Sequence, residues 1–189
     1  AAAAGGLPTI GLRCPDHPVA QALLRAALAR GVPGIAAPSA NRFGRVSPTL
    51  AAHVVDEFGP VLTVLDGGAC REGIESTIVD CTGDVPALLR PGTIDRRLLE
   101  RVLGHPVRGR GAASPRVPGS LESHYAPRAS VQLVAPHRLA EAVAGAEREI
   151  GARRVGVYSR MPPAGHPGVI FQAMPGQAAQ VAHELFAVL

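Results

Sequence analysis

Between residues 105 and 130 the sequence reads HPVRGRGAASPRVPGSLESHYAPRAS, rich in Gly, Pro, Ser and Arg and without helical or strand periodicity. Such a segment has no face of its own to bury and reads as a linker. It divides the chain into a patterned region over 1–104 and a second over 131–189, and no internal repeat relates the two. Any fold must therefore be assembled from two separately patterned pieces.

The first piece alternates short apolar runs with helical spacing. LPTIGLR (7–13) predicts a strand ending at Arg13, and residues 34–38 predict a second run that delivers the chain to a Ser-Ala-Asn turn. Between them Val19, Leu23 and Ala27, with Leu24 and Leu28, share a helix face that Gly31 closes. Ser47-Pro48 reads as N-cap and first residue of a helix carrying Leu50, Val54 and Phe58, with Gly59 at its end. PVLTVLDGG (60–68) predicts a strand and turn, and residues 76–90 a hairpin around Thr-Gly-Asp. Asp95 is placed to cap a helix through Leu103, ended by Gly104. In the second piece VQLVA, HRLAEAVAGAEREI, RVGVYS, GVIFQA and GQAAQVAHELFAVL alternate strand and helix, as in a small α/β unit with a parallel sheet.

With 3% aromatic residues and no Trp, the core must be aliphatic. All nineteen basic residues are arginine, so any anion held by a side-chain cation meets a planar fork rather than an ammonium. Net charge is +4 but no basic block occurs, which argues only weakly for nucleic acid. The apolar runs are far too short to span a membrane. Cys14, Cys70 and Cys81 are odd in number and form no CxxC, the pattern expected in a reduced cytoplasm.

Several chemistries are absent. Without lysine there is no GxxxxGK[ST] loop; GxGxxG, GxSxG and HExxH are missing too. The seven histidines do not pair at metal-ligand spacing, so no metal ligand is assigned. What remains is a set of polar residues at the ends of apolar runs. Arg13 closes the first; Ser39 and Asn41 follow the second; Ser47 opens a helix; Ser76 and Thr77 open the hairpin and Arg90 closes it. Hydroxyls, backbone N–H groups and guanidinium forks converging on one rim suit an anionic ligand, not a protein nucleophile. Each residue also has a structural explanation. Ser47 can be a simple N-cap, Ser39 and Asn41 turn formers, and Arg13 and Arg90 surface ion-pair partners. Asp66 before Gly67-Gly68 reads as a turn residue, and Glu75 has no evident partner.

PTIGLRCPDHPVA, APSANRFGRVSPT, LDGG…GIESTIVD, LLRPGTI and PGSLESHYAP, in this order, resemble the L-threonylcarbamoyladenylate synthase family with its YrdC-like domain, in the long form with an extra C-terminal domain. The resemblance implies an α/β fold: the C-terminal part of a YrdC-like twisted-sheet domain over 1–104, the linker 105–130, and a small Rossmann-like α/β domain over 131–189. It implies a nucleotidyltransferase that makes threonylcarbamoyl-AMP from threonine, bicarbonate and ATP, releasing diphosphate, for the t6A modification of tRNA. ATP is then a substrate, with Mg²⁺ bound mainly through its phosphates. Threonine, bicarbonate and a downstream tRNA-modifying transferase complex are the implied partners, in the cytoplasm and away from membranes, with direct tRNA binding a weaker expectation.

By motif, Thr9, Ser39, Ser47, Arg90 and Tyr125 fall at ATP-contacting positions. Arg13, Ala37 and Ser76 fall at threonine-contacting ones, and Asn41 and Thr77 support them. No catalytic nucleophile and no protein metal site are implied. The family's opening PTET-Y-G type motif and its lysine-x-arginine motif are missing, so the chain is expected to lack the N-terminal half of the catalytic domain and to be inactive alone. The rival reading is an RNA-binding or scaffold module without catalysis. A carbamoyl-transfer subdomain of a hydrogenase-maturation protein would bring zinc-finger cysteine pairs, which this sequence lacks.

Overall fold

The computed structural model describes residues 4, 6–111, 114, 115, 117 and 126–189, and shows a mixed α/β chain with small sheets. The first helix, α1 (Pro18–Leu28), starts on a proline whose fixed φ suits the first turn. The second, α2 (Ala51–Phe58), ends at Gly59, whose φ of 74° a residue with Cβ would resist. Its start differs from expectation. Leu50, not Ser47, precedes the helix and no side chain caps it; Ser47 stands three residues earlier and gives its hydroxyl to Glu75 instead.

The expected hairpin forms as β1 (Ile78–Asp80) and β2 (Ala87–Arg90), paired antiparallel. Asp80 Oδ1 accepts from the N–H and hydroxyl of Thr82, which starts the connecting loop. The helix α3 (Arg96–Leu103) is built as the sequence indicates: Asp95 accepts from Leu98 N–H at 2.7 Å, and Gly104 closes it in the left-handed conformation. Glu100 then accepts from Val107 N–H at 3.0 Å and turns the chain back into β3 (Arg108–Gly109), parallel to β2. The stretch assigned to the linker thus begins by completing the first sheet. Leu89 and Val107 are its buried apolar residues.

Three expected strands, and the second apolar run, form no ladder. Residues 7–13, 34–38, 60–66 and 131–135 carry no strand ladder. Leu12 is 88% exposed, Val61 91% and Leu133 fully so. An apolar run becomes a strand only where a neighbour receives its N–H and C=O groups, and these runs have no such neighbour among the described residues.

The second piece follows its pattern more closely. A 3-10 turn at Pro136–Arg138 leads into α4 (Leu139–Ile150); β4 (Gly156–Ser159) and β5 (Ile170–Ala173) pair in parallel; α5 (Ala178–Val188) follows. Val143 of α4 packs with Val155 and Val157 into a small core, flanked by Leu139, Ala146 and Val169. His166 Nδ1 meets Glu147 Oε2 at 2.5 Å, fastening the β4–β5 connection to α4. Tyr158 on β4 donates to Glu184 on α5 at 2.8 Å. Burial first, and this hydrogen bond second, push its hydroxyl up to about 12, so it stays a neutral donor at ordinary pH.

Two seams close onto the first piece, one from the end of the linker and one from the second piece. At the first, Ala126 N–H donates to Gly44 O at 2.8 Å in a bridge with Arg45, and Glu57, only 15% exposed, lies between Arg42 at 3.4 Å and Arg128 at 3.2 Å. At the second, His183 of α5 bonds through Nδ1 to Arg71 O at 2.7 Å, and the buried Gly73 passes directly against the His183 carbonyl. Even so the chain keeps 13889 Å² accessible to solvent. A compact chain of this mass exposes about 8,500 Å².

Candidate functional site

The motif residues fall into two groups. The tightly built one is centred on residues 75–77, just before β1. Ser47 Oγ donates to Glu75 Oε1 at 2.6 Å, tying the loop before α2 to this segment. Arg90, the last residue of β2, donates from Nε to Ser76 O at 3.0 Å and from Nη2 to Ser76 Oγ at 3.3 Å. Thr77 Oγ1 donates to Ile94 O at 2.7 Å. Gly92 lets the two loops touch: a methyl there would lie 2.5 Å from Thr77 N, 2.6 Å from Glu75 O and 2.8 Å from Ser76 C. Ser47, Arg90 and the Ile94 carbonyl therefore each attach to the 75–77 segment, through Glu75, Ser76 and Thr77 respectively.

The turn before Ser47 is braced separately. Asn41 Nδ2 donates to Arg42 O at 3.0 Å and Arg45 O at 2.9 Å, while its Oδ1 is buried without a partner among the described residues. Ala40 beside it has φ 55°, a left-handed conformation that alanine adopts at a cost of about 1 kcal/mol. Asn41 thus does more than form a turn, since it fixes the carbonyls of the loop that presents Ser47. Asn41, Arg45, Ser47, His53, Arg128 and Phe186 are among the residues lining an open cavity of about 380 Å³ between the first piece and the end of α5.

The remaining motif residues stand apart. Thr9, Arg13, Ala37 and Ser39 lie on the unpaired stretches, Arg13, Ala37 and Ser39 exposed and Thr9 half-buried. Among the described residues, the side chains of Thr9, Arg13 and Ser39 share no hydrogen bond with the 75–77 unit. Tyr125 lies outside the described residues. The turn reading of Asp66 is realised, since its Oδ1 accepts from Gly68 N–H at 2.8 Å. Arg71, not Arg13, forms the ion pair with Asp16, and that guanidinium holds the exposed Asp16 carboxyl below its usual range.

Sequence reasoning left Glu75 without a partner and passed over Gly73 and Gly92. Glu75 stands immediately before Ser76-Thr77, but its partner is 28 residues away and nothing local announces it. The glycines look like ordinary loop residues until the backbone passing over them is seen.

A Sua5/YciO/YrdC family model, described as telomere recombination, matches residues 1–92. A second, the threonylcarbamoyl-AMP synthase C-terminal domain, matches residues 94–189. The chain belongs to the threonylcarbamoyl-AMP synthase family.

Named members of the family are similar along much of the chain. The Bacillus subtilis threonylcarbamoyl-AMP synthase is 39% identical over 183 residues, covering 93% of this chain and 51% of that protein. The Pyrococcus abyssi synthase is 42% identical over 136 residues, covering 69% of this chain and 39% of its own. The crystal structure of P. abyssi Sua5 complexed with L-threonine superposes with a TM-score of 0.72 at 30% identity, over 97% of this chain and 55% of that one. The chain thus spans about half the length of the Bacillus relative. The C-terminal match agrees with the long form of the family that the sequence resembles.

Proposed function

We propose that this chain forms ATP- and threonine-binding walls of a threonylcarbamoyl-AMP synthase, which joins threonine, bicarbonate and ATP and releases diphosphate. The observation that carries the reading is the convergence of Ser47, Ser76 and Arg90 on the 75–77 segment in a chain of this family. Threonine's amine takes up carbon from bicarbonate to give a carbamate and water. A carbamate oxygen then attacks the α-phosphorus of ATP, forming the new P–O bond as diphosphate leaves with the electron pair of the old one. No protein nucleophile takes part, so catalysis rests on holding the two substrates in line. In this reading Ser76 and the Arg13 fork contact threonine with the backbone at Ala37. Thr9, Ser39, Ser47, Arg90 and Tyr125 contact the nucleotide, and Asn41 and Thr77 hold the loops.

Among the described residues no three His, Cys, Asp or Glu groups converge as a metal cage. In the same reading Mg²⁺ would be held mainly by the ATP phosphates, where it would neutralise charge. The product would feed a tRNA-modifying transferase complex in the cytoplasm. Among the described residues no helix is long and apolar enough to cross a membrane. The second piece is read as the small Rossmann-like domain of the long form, with the connecting stretch starting after β3. The relatives' names do not favour the RNA-binding or scaffold alternative.

The test is diphosphate release by the natural-length protein with ATP and bicarbonate, with and without threonine. Release that requires threonine supports the synthase; release indifferent to threonine, or none at all, overturns it.

A further inference from the structure

We propose that Glu75 is a positioning residue that makes Ser47 a hydrogen-bond acceptor toward the nucleotide, directed at a donor on the nucleoside rather than at a phosphate. The proposal rests on the reading of Ser47 as an ATP contact and adds the part of ATP it recognises and the residue that decides it.

A serine hydroxyl has one proton and two lone pairs, and an ionised carboxylate only accepts. At 2.6 Å from Glu75 Oε1, within the range of charge-assisted O–H···O⁻ bonds, Ser47 gives its one proton to Glu75. Its oxygen then has only lone pairs to offer a ligand. Phosphate oxygens at neutral pH also accept, so two acceptors would face each other. Nucleoside groups that donate are the sugar hydroxyls and the exocyclic amine.

The geometry commits the pair to this arrangement. Ser47 lines the 380 Å³ cavity, and Glu75 is not among its lining residues. Both are half-buried, and both are held from outside the pair. Glu75's carbonyl is pressed against Gly92, and the loop before Ser47 is braced by Asn41 on Arg45 O and by the Arg45–Ala126 bridge. The two backbones are therefore held in register, and the 2.6 Å bond is the contact that orients the Ser47 hydroxyl. Glu75 therefore does not itself touch the nucleotide; it acts through the orientation of one hydroxyl.

The experiment pairs side-chain changes with ligand changes in the natural-length protein. Wild type, Ser47→Ala, Glu75→Ala and Glu75→Gln are assayed for threonine-dependent diphosphate release with ATP, 2′-deoxy-ATP, 3′-deoxy-ATP and purine riboside triphosphate, which lacks the amine. In wild type one analogue should show KM raised about tenfold over ATP at similar kcat, the worth of one lost hydrogen bond. That difference should vanish in Ser47→Ala and Glu75→Ala, and persist in Glu75→Gln, whose amide oxygen still accepts. A purely structural role for Glu75 would raise KM for all four nucleotides alike, and that result overturns the proposal. So does a wild type that treats all four equally, or discrimination surviving in Ser47→Ala. If Glu75→Ala fails to fold, as its melting temperature would show, the Ser47→Ala and Glu75→Gln comparisons decide. Silence of wild type with ATP itself brings down the synthase reading together with the proposal; activity with unaltered discrimination across the variants brings down the proposal alone.

Discussion

Gly73→Ala should separate the last helix from the first piece of the chain. Gly73 is buried, and the added methyl would fall on the carbonyl group of His183 and close to that of Ala182. Those are backbone atoms of α5, so no rotamer change relieves the clash; helix or loop must move. Overpacking of this kind costs about 3 kcal/mol. For a chain of this length that lowers the melting temperature by about 10 °C. The Tyr158–Glu184 bond would keep α5 with its own sheet, so the break should open at residues 70–75. His183→Ala is the milder comparison, because it deletes only the bond to Arg71 O, worth about 1 kcal/mol. Hydrogen exchange read at the 70–75 amides and along α5 checks the prediction. Unchanged protection and melting in Gly73→Ala would show that this seam does not hold the two pieces together.

Gly92→Ala should act on chemistry more than on stability. Its methyl would meet Thr77 N, Glu75 O and Ser76 C between 2.5 and 2.8 Å, again all backbone. Relief requires the 75–77 segment to retreat from the 90–94 loop, breaking the two Arg90–Ser76 bonds and the Thr77–Ile94 bond or bending them badly. Displacement of a substrate-holding group by about 1 Å costs about 100-fold in rate. Threonine-dependent diphosphate release by the natural-length protein should fall by that factor. Gly83→Ala, in the β1–β2 loop with nothing near its added methyl, should leave the rate close to wild type. Equal activity of the two variants would mean that the 75–77 segment does not carry substrate contacts.

The helices were readable because their instructions are local. Asp95 with Gly104 around α3, the Val19, Leu23 and Ala27 spacing of α1, and Gly59 after α2 each act within a turn or two of where they stand. The hairpin was readable for the same reason, since Asp80 and Thr82 start its loop themselves. The runs at 7–13, 34–38, 60–66 and 131–135 carry strand-like patterns, but a ladder is an agreement between two segments and the pattern names only one of them. Ser47 shows the limit within the site. Its position before a proline and an apolar helix face suggests a cap, and only the folded chain reveals that Glu75 has claimed its proton. The pairing of Ser76 with Arg90 was half legible, because both lie at the same end of a hairpin; the glycine that permits it was not.

The large accessible surface has a thermodynamic consequence. A fully unfolded chain of this mass exposes about 28,000 Å², so unfolding from 13889 Å² uncovers about a quarter less new surface than a compact chain of equal length would. Denaturant sensitivity and the heat capacity of unfolding both scale with that newly wetted area. The urea transition of this chain should accordingly be shallower, and its stability curve flatter, than those of a compact chain of equal length. A partner surface that covered the exposed apolar runs would steepen both before it added a single contact to the site.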